Sequence, residues 1–270
     1  MKSPLFKKEI ALVLSGGGAR GLAHIGVLEV FEKEKIPIDM IIGTSMGALV
    51  GGAYLSGNLR ELKKKFLSLN KRDVFKMFIE KPSMEGLSRG NSITSMISKF
   101  TDNKKIEDLS MPFIAVSADL ETGKTVIIGK GSLVDAIRSS ISIPGIFVPI
   151  HNKGMILVDG GIVDPVPVDI ASKYAKKIIV IDVLARMEHI KTEKGIVHQN
   201  ILDIIEDSIV IMQRNMAKLS MRRKRKREFI IKPKIPRTGS LEFYKAKELI
   251  EAGRKEAEKM IPKLKKFLSS

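Results

Sequence analysis

Near its start the chain twice runs a short apolar segment into a glycine turn and out again into a helical pattern. Residues 10–15 (IALVLS) lead into Gly16-Gly17-Gly18-Ala19-Arg20-Gly21, after which LAHIGVLEVFEKEK carries apolar side chains at helical spacing up to Pro37. Residues 39–42 then lead into Gly43-Thr44-Ser45-Met46-Gly47, followed by the apolar stretch ALVGGAYLSG. Such runs read as buried strands. Strands that alternate with helices lie parallel, because a parallel neighbour is reached by a crossover long enough to hold a helix. The expected fold is α/β, with a three-layer, mainly parallel central sheet flanked by helices.

The rest of the chain extends that pattern. Residues 58–110 are helical and basic in places and carry no strand pattern, so they read as a cap-like insertion. Strand candidates follow at 112–119, 124–129, 155–158 and 177–183, and LVDAIRSSISIPG reads as a helix stopped by Pro144. A long helix from about residue 199 places Ile201, Ile204, Ile205, Ile209, Met212 and Met216 near one face, which is expected to pack on the core. EFIIKPKI looks like a last strand, and residues 241–268 like a terminal helix. No repeat or linker divides the chain. The expectation is one domain over 1–270, with a motif-bearing core at 8–170, the insertion at 58–110 and C-terminal helices at 199–270.

Gly43 to Gly47 matches G-x-S-x-G between a strand and a helix, the context in which the serine of a hydrolase is raised on a sharp elbow. Ser45 is therefore the candidate nucleophile. Gly43 and Gly47 leave the tight turn room that side chains would fill. Gly16, Gly17 and Gly18, with Arg20 and Gly21, offer backbone N–H groups at a helix start, where an anion such as a tetrahedral oxyanion is favoured. The same hexapeptide fits G-x-G-x-x-G, so a dinucleotide-binding enzyme is the competing reading. That reading wants an acidic residue at the end of the second strand, and Gly43-Thr44-Ser45 stands there instead.

A nucleophilic serine needs a base. His189 and His198 lie in a polar segment with nothing that marks a strand-end loop, and His24 reads as a packing or loop-supporting residue inside the first helix. Asp159 is better placed, because it directly follows the apolar run MILV and precedes Gly160 and Gly161, which permit close approach of another backbone segment. Direct proton transfer from a serine to a carboxylate is easier where burial raises the carboxyl pKa.

Composition narrows the classes further. There is no cysteine, which excludes a cysteine nucleophile, and the four histidines show no metal-ligand spacing. The formal charge of +17 favours anionic partners. With no Trp and three Tyr, the chain lacks the aromatics that nucleic-acid readers interleave with basic residues, so the expected partner is a lipid surface and not a nucleic acid. Arg222, Arg223, Lys224, Arg225, Lys226 and Arg227 are the candidate contact with an anionic membrane. No apolar run approaches the roughly 20 residues of a membrane span, and the first residues show no cleavage pattern, so the expected location is cytoplasmic, peripheral to the membrane.

The order GGGARG, GTSMG, SISIPGIFVPI and DGG resembles the patatin-like phospholipases, in particular their compact prokaryotic members. The resemblance runs from Ile10 to about Asp169, and more loosely to ELIEAGRKEAE near the C terminus. It implies a lipid-acyl hydrolase of the phospholipase A or esterase type that needs no metal or organic cofactor. Ser45 would be the nucleophile, Asp159 the base of a Ser-Asp dyad, and Gly16 to Gly18 with Arg20 the oxyanion hole. Pro144, Gly145 and Pro149 match the family's proline block, a structural element. Asp164 departs from the pattern, since relatives often carry Asn there, and a second carboxylate near Asp159 would raise its pKa. A catalytically silent, membrane-associated member of the fold is the remaining alternative.

Overall fold

The computed structural model describes residues 8–78, 88–185, 201–221 and 227–270. His189, His198 and the basic residues 222–226 lie outside the described residues. The chain opens with strand β1 (Lys8–Leu14), a 3-10 turn (Gly18–Leu22) and helix α1 (Ala23–Lys33). Strand β2 (Met40–Thr44) and helix α2 (Met46–Leu55) follow, with Ser45 alone between them. Helices α3 (Leu59–Leu67), α4 (Lys71–Phe78) and α5 (Asn91–Thr101) precede strands β3 (Phe113–Asp119) and β4 (Thr125–Ile128). Then come α6 (Leu133–Ser140), β5 (Ile150–Asn152), β6 (Met155–Asp159), α7 (Val168–Tyr174) and β7 (Ala175–Ile181). The chain finishes with α8 (Ile201–Ser220), β8 (Glu228–Ile231) and α9 (Ala246–Ser269).

Strands β3, β2, β1, β7 and β8 are parallel, while β4 and β6 run antiparallel to β3 and β5 antiparallel to β6. The sheet is mainly parallel, as the sequence pattern requires. Alternation along its strands divides the core into two layers. Leu12, Leu14, Ile41, Ile179 and Ile181 pack on the side of α1, α2 and α9, whereas Ala11, Val13, Ile42, Ile178 and Val180 pack on the side of α7 and of Ala217 in α8. Leu62, Phe66, Val74, Ile97 and Phe100 of the 58–110 segment join the first layer.

Strand β3 explains where the site forms. Its residues Ala115 and Val116 pair with β2 on one edge and with β4 on the other. Ser117 keeps β4 but faces Asp159 of β6. Strand β6 therefore takes over the edge that β2 vacates. The two strands meet end-on along one side of β3, Thr44 opposite Val116 and Asp159 opposite the next residue.

Helices α1 and α9 cross with their backbones in contact. A Cβ on Gly26 would fall on the Ile250 carbonyl, and one on Gly253 on the Ala23 carbonyl. The expectation for α8 is corrected. Ile204, Ile205 and Met212 are exposed, together with Ile211 and Leu219, and the helix seats itself through Val210, Gln213 and Ala217. The periodicity shows a stripe of large apolar residues but not the side on which the sheet lies. Among the described residues, no helix is long and apolar enough to cross a membrane.

Candidate active site

Ser45 occupies the gap between β2 and α2 with φ 54 and ψ −123, a backbone conformation that side-chain-bearing residues adopt only under constraint. Gly43 and Gly47 supply the constraint. A Cβ on Gly43 would lie 2.5 Å from the Gly47 carbonyl, and one on Gly47 would overlap the Leu14 carbonyl, so the elbow is closed by backbone against backbone. The Ser45 hydroxyl donates to Asp159 Oδ2 at 2.5 Å, and Asp159 Oδ1 accepts the Gly161 N–H at 2.7 Å. Burial pushes the Asp159 carboxyl up to about 6, while its hydrogen bonds from Ser45 and Gly161 pull the other way. Asp164 does not contribute to that rise. Its own carboxyl is pushed up to about 7 by burial, and next by the charge of Asp169.

The glycine loop lies beside the serine. The position of a Cβ on Gly16 is 3.5 Å from Ser45 Cβ, and Gly18 lines the same pocket as Ser45. Gly16 is corrected as a donor, because its N–H is already given to the Pro165 carbonyl at 2.9 Å. Gly17 (φ 148) and Gly18 (φ 55) hold conformations that suit glycine, and their N–H groups have no backbone partner among the described residues. The Arg20 guanidinium is buried, donating to the Gly17 carbonyl and to Ser240 Oγ at 3.2 Å each. It holds the loop from beneath. The backbone carbonyl of Ser240 also accepts the Ala19 N–H at 2.7 Å, and a Cβ on Gly18 would sit 2.5 Å from that oxygen. Gly21 packs against Met46, so the loop and the elbow touch. His24 Nε2 hydrogen-bonds the Ser15 carbonyl at 2.8 Å, and burial lowers the imidazole to about 4, leaving it neutral. It supports the loop through Ser15 and makes no hydrogen bond to Ser45 or Asp159.

Several residues at this site escape a reading of the sequence. Ser140 Oγ accepts the Ser45 N–H at 2.8 Å and donates to the Val116 carbonyl at 2.5 Å. The Ser142 carbonyl accepts the Asp159 N–H at 2.9 Å, and Arg138 Nη1 donates to Ser142 Oγ at 2.6 Å. The end of α6 thus fixes the backbones of both Ser45 and Asp159. Above the serine, Met46, Leu49, Phe66, Ile93, Phe147 and Phe243 wall an apolar pocket. Phe66 stacks on Phe243 with ring centroids 5.3 Å apart, joining the 58–110 segment to the C-terminal region at the pocket wall.

The family model described as patatin-like phospholipase matches residues 12–172, more than half of the chain, including the glycine loop, Ser45 and Asp159. The chain belongs to the patatin-like phospholipase family. Relatives similar to it include an uncharacterized NTE family protein of Mycobacterium tuberculosis, 40% identical over 158 residues, covering 58% of this chain and 44% of that one. Patatin-like phospholipase domain-containing protein 6 of Mus musculus is 33% identical over 181 residues, covering 64% of this chain and 13% of that one. The chain therefore spans less than half the length of these relatives. Among solved structures, VipD from Legionella pneumophila aligns over 95% of this chain and 67% of that one, with a TM-score of 0.47 and 12% identity. As a patatin-like chain the protein carries Asp164 close behind its D-G-G segment, and there the Asp164 carbonyl accepts the Thr44 hydroxyl at 2.9 Å. The position thus ties the end of β2 to the loop after Asp159.

Proposed function

We propose that the protein is a serine lipid-acyl hydrolase of the phospholipase A or esterase type, with Ser45 as nucleophile and Asp159 as base. The observation that carries this reading is the 2.5 Å hydrogen bond from the Ser45 hydroxyl to a buried carboxylate whose pKa stands near 6. Such a carboxylate is ionised at neutral pH yet basic enough to take a proton as the bond to carbon forms.

Asp159 removes the Ser45 proton while Oγ attacks the acyl carbonyl carbon, and the carbonyl π electrons move onto oxygen. The N–H groups of Gly17 and Gly18 hold that oxyanion, beside the positive end of α2. Collapse of the intermediate expels the alcohol part of the lipid, which takes the proton from Asp159. Water then adds to the acyl-enzyme, giving its proton to Asp159, and the acid leaves as Ser45 recovers the proton. No metal or organic cofactor enters these steps. The apolar pocket over Ser45 suits an acyl chain, since burying methylene groups there releases roughly 0.8 kcal/mol each.

Labelling by a fluorophosphonate probe, run beside hydrolysis of a short-chain ester, tests the reading. Wild type labels and turns over, while Ser45→Ala and Asp159→Asn lose on the order of 10^4-fold in kcat. Full hydrolysis by purified Ser45→Ala would sink the proposal. A wild type that neither labels nor hydrolyses, with or without lipid, would move the protein to a silent lipid-binding role.

A further inference from the structure

Strand β3 sets a hydroxyl beside the dyad that no hydrogen bond of the resting site uses. Ser117 lies opposite Asp159 in the antiparallel pairing of β3 with β6. The Leu120 N–H donates to the Ile156 carbonyl at 2.8 Å, which makes Leu120 and Ile156 a hydrogen-bonded pair. Hydrogen-bonded pairs recur at every second residue, so Ala118 and Val158 form the next one, and Ser117 and Asp159 fall at a non-hydrogen-bonded position. The outer bonds agree. The Asp119 N–H goes to the Lys124 carbonyl beside β4 and the Asp159 N–H to the Ser142 carbonyl, both away from the β3–β6 ladder. At such a position the opposed side chains share one face and stand at their closest. Ser117 is fully buried there, and its hydroxyl has no hydrogen-bond partner among the described residues. The neighbouring hydroxyls are engaged, Ser140 with the Val116 carbonyl and Ser142 with the Arg138 carbonyl. A buried unpaired hydroxyl lowers stability, so such a group points to a state of the protein in which it is paired.

We propose that Ser117 is a positioning residue for deacylation, its hydroxyl turning to donate to the Asp159 carboxylate once Ser45 is acylated. This role rests on the proposed Ser45–Asp159 chemistry. In the resting site each Asp159 oxygen already has a donor, Oδ2 from the Ser45 hydroxyl and Oδ1 from the Gly161 N–H. Acylation removes the first, because the esterified Ser45 Oγ has no proton to give. A carboxylate oxygen carries two lone pairs, so Oδ2 can take the Ser117 hydroxyl on one and a water on the other. The new donor favours the ionised carboxylate, which is the form that accepts a proton. The water oxygen then bonds to the acyl carbon as its proton passes to Asp159 and the carbonyl π electrons move onto oxygen. On collapse the bond from the acyl carbon to Ser45 Oγ breaks, and Oγ recovers that proton as the acid leaves. During acylation Ser45 is itself the donor, so Ser117 takes no part in that half of the cycle.

The test follows hydrolysis of a short-chain p-nitrophenyl ester by stopped flow, with the acyl-enzyme fraction read by intact mass after acid quench. Ser117→Ala should slow deacylation by about tenfold, the effect of losing one hydrogen bond to a charged group. The acyl-enzyme fraction should rise, and kcat and KM should fall together as deacylation becomes limiting. The ratio kcat/KM, which reports acylation, should stay within about twofold of wild type. Thermal melting should stay at or above the wild-type midpoint, because the substitution removes an unpaired buried group. Ser117→Thr keeps the hydroxyl and should restore deacylation. An unchanged acyl-enzyme fraction in Ser117→Ala, or a loss in kcat/KM as large as that in kcat, overturns the role. Loss of the fold in Ser117→Ala assigns the hydroxyl to stability and overturns it too. Hydrolysis that Ser45→Ala abolishes and Ser117→Ala leaves untouched removes Ser117 alone, whereas a wild type without Ser45-dependent hydrolysis overturns the hydrolase reading with it.

Discussion

The hydroxyl of Ser140 accepts the backbone N–H of Ser45 at 2.8 Å while donating to the Val116 carbonyl, so one small side chain fastens the Ser45 backbone to the neighbouring strand. Ser45 sits at φ 54, and without that bond its N–H would be buried and unpaired. Ser140→Ala should cost about 1–3 kcal/mol in stability. It should also lower kcat by about 10- to 100-fold with little change in KM, because the oxygen is displaced from its attacking position. Ser140→Thr keeps the hydroxyl and should recover part of the rate. Steady-state kinetics beside denaturant titration measures both effects, and an unchanged kcat in Ser140→Ala would remove Ser140 from any positioning role.

The proposed proton transfer to Asp159 implies a pH dependence. Its carboxyl is held up to about 6 by burial, and only the ionised form accepts the serine proton. The value of kcat/KM should therefore rise about tenfold per pH unit below 6 and level off above it. A profile measured on a soluble ester, whose ionisation is constant over this range, checks the limb. A rate flat from pH 4.5 to 8 would contradict the assignment of Asp159 as base.

Asp164 has a different consequence, for stability. Its carboxyl stands near 7 in the folded protein against 3.8 for the ordinary group. Between these values the folded state keeps a proton that the unfolded state has released, so this residue's contribution falls as pH rises through the window. Asp164→Asn should raise stability by on the order of 3 kcal/mol at pH 8 and by almost nothing at pH 3.5. Urea titrations of both proteins at the two pH values give the comparison. An equal difference at both would mean that ionisation of Asp164 is not the cause.

Two glycines separate steric from conformational cost. Gly47→Ala drives a methyl into the backbone of Leu14 and Ser15, and should destabilise by more than about 3 kcal/mol or prevent folding. Gly123→Ala, at φ 65 in the hairpin before β4, meets nothing within 4 Å and should cost only about 1–2 kcal/mol. Denaturation midpoints rank the two.

The elements that bring chemistry to the sheet edge are legible in the sequence because each is punctuated by glycine after an apolar run. Ser45, Asp159 and the loop at Gly17 and Gly18 all follow from that. Ser140 and Ser142 are not legible, since hydroxyls at the end of an amphipathic helix look like ordinary polar positions, and the groups that the Ser140 hydroxyl and the Ser142 carbonyl bond, at Ser45, Val116 and Asp159, lie on other elements. Strand β5, three residues with exposed His151 and Asn152, has no apolar pattern to reveal it. The end-on meeting of β2 and β6 depends on pairing register, which local sequence does not encode. For α8 the stripe was visible and its direction was not, because small Ala217 and polar Gln213 form the buried seat.

The support that Ser240 gives Ala19, and the crossing of Gly253 over Ala23, reach across more than two hundred residues of chain. During synthesis, Ser45 and Asp159 leave the ribosome well before the segment that shapes the glycine loop. A nascent chain that stops short of Ser240 holds Ser45 and Asp159 but lacks the wall that orders Gly18, so the glycine loop should take its shape only after that segment has emerged. Under the proposed mechanism, a growing polypeptide built in this order would not cleave lipid before the segment at Ser240 is in place.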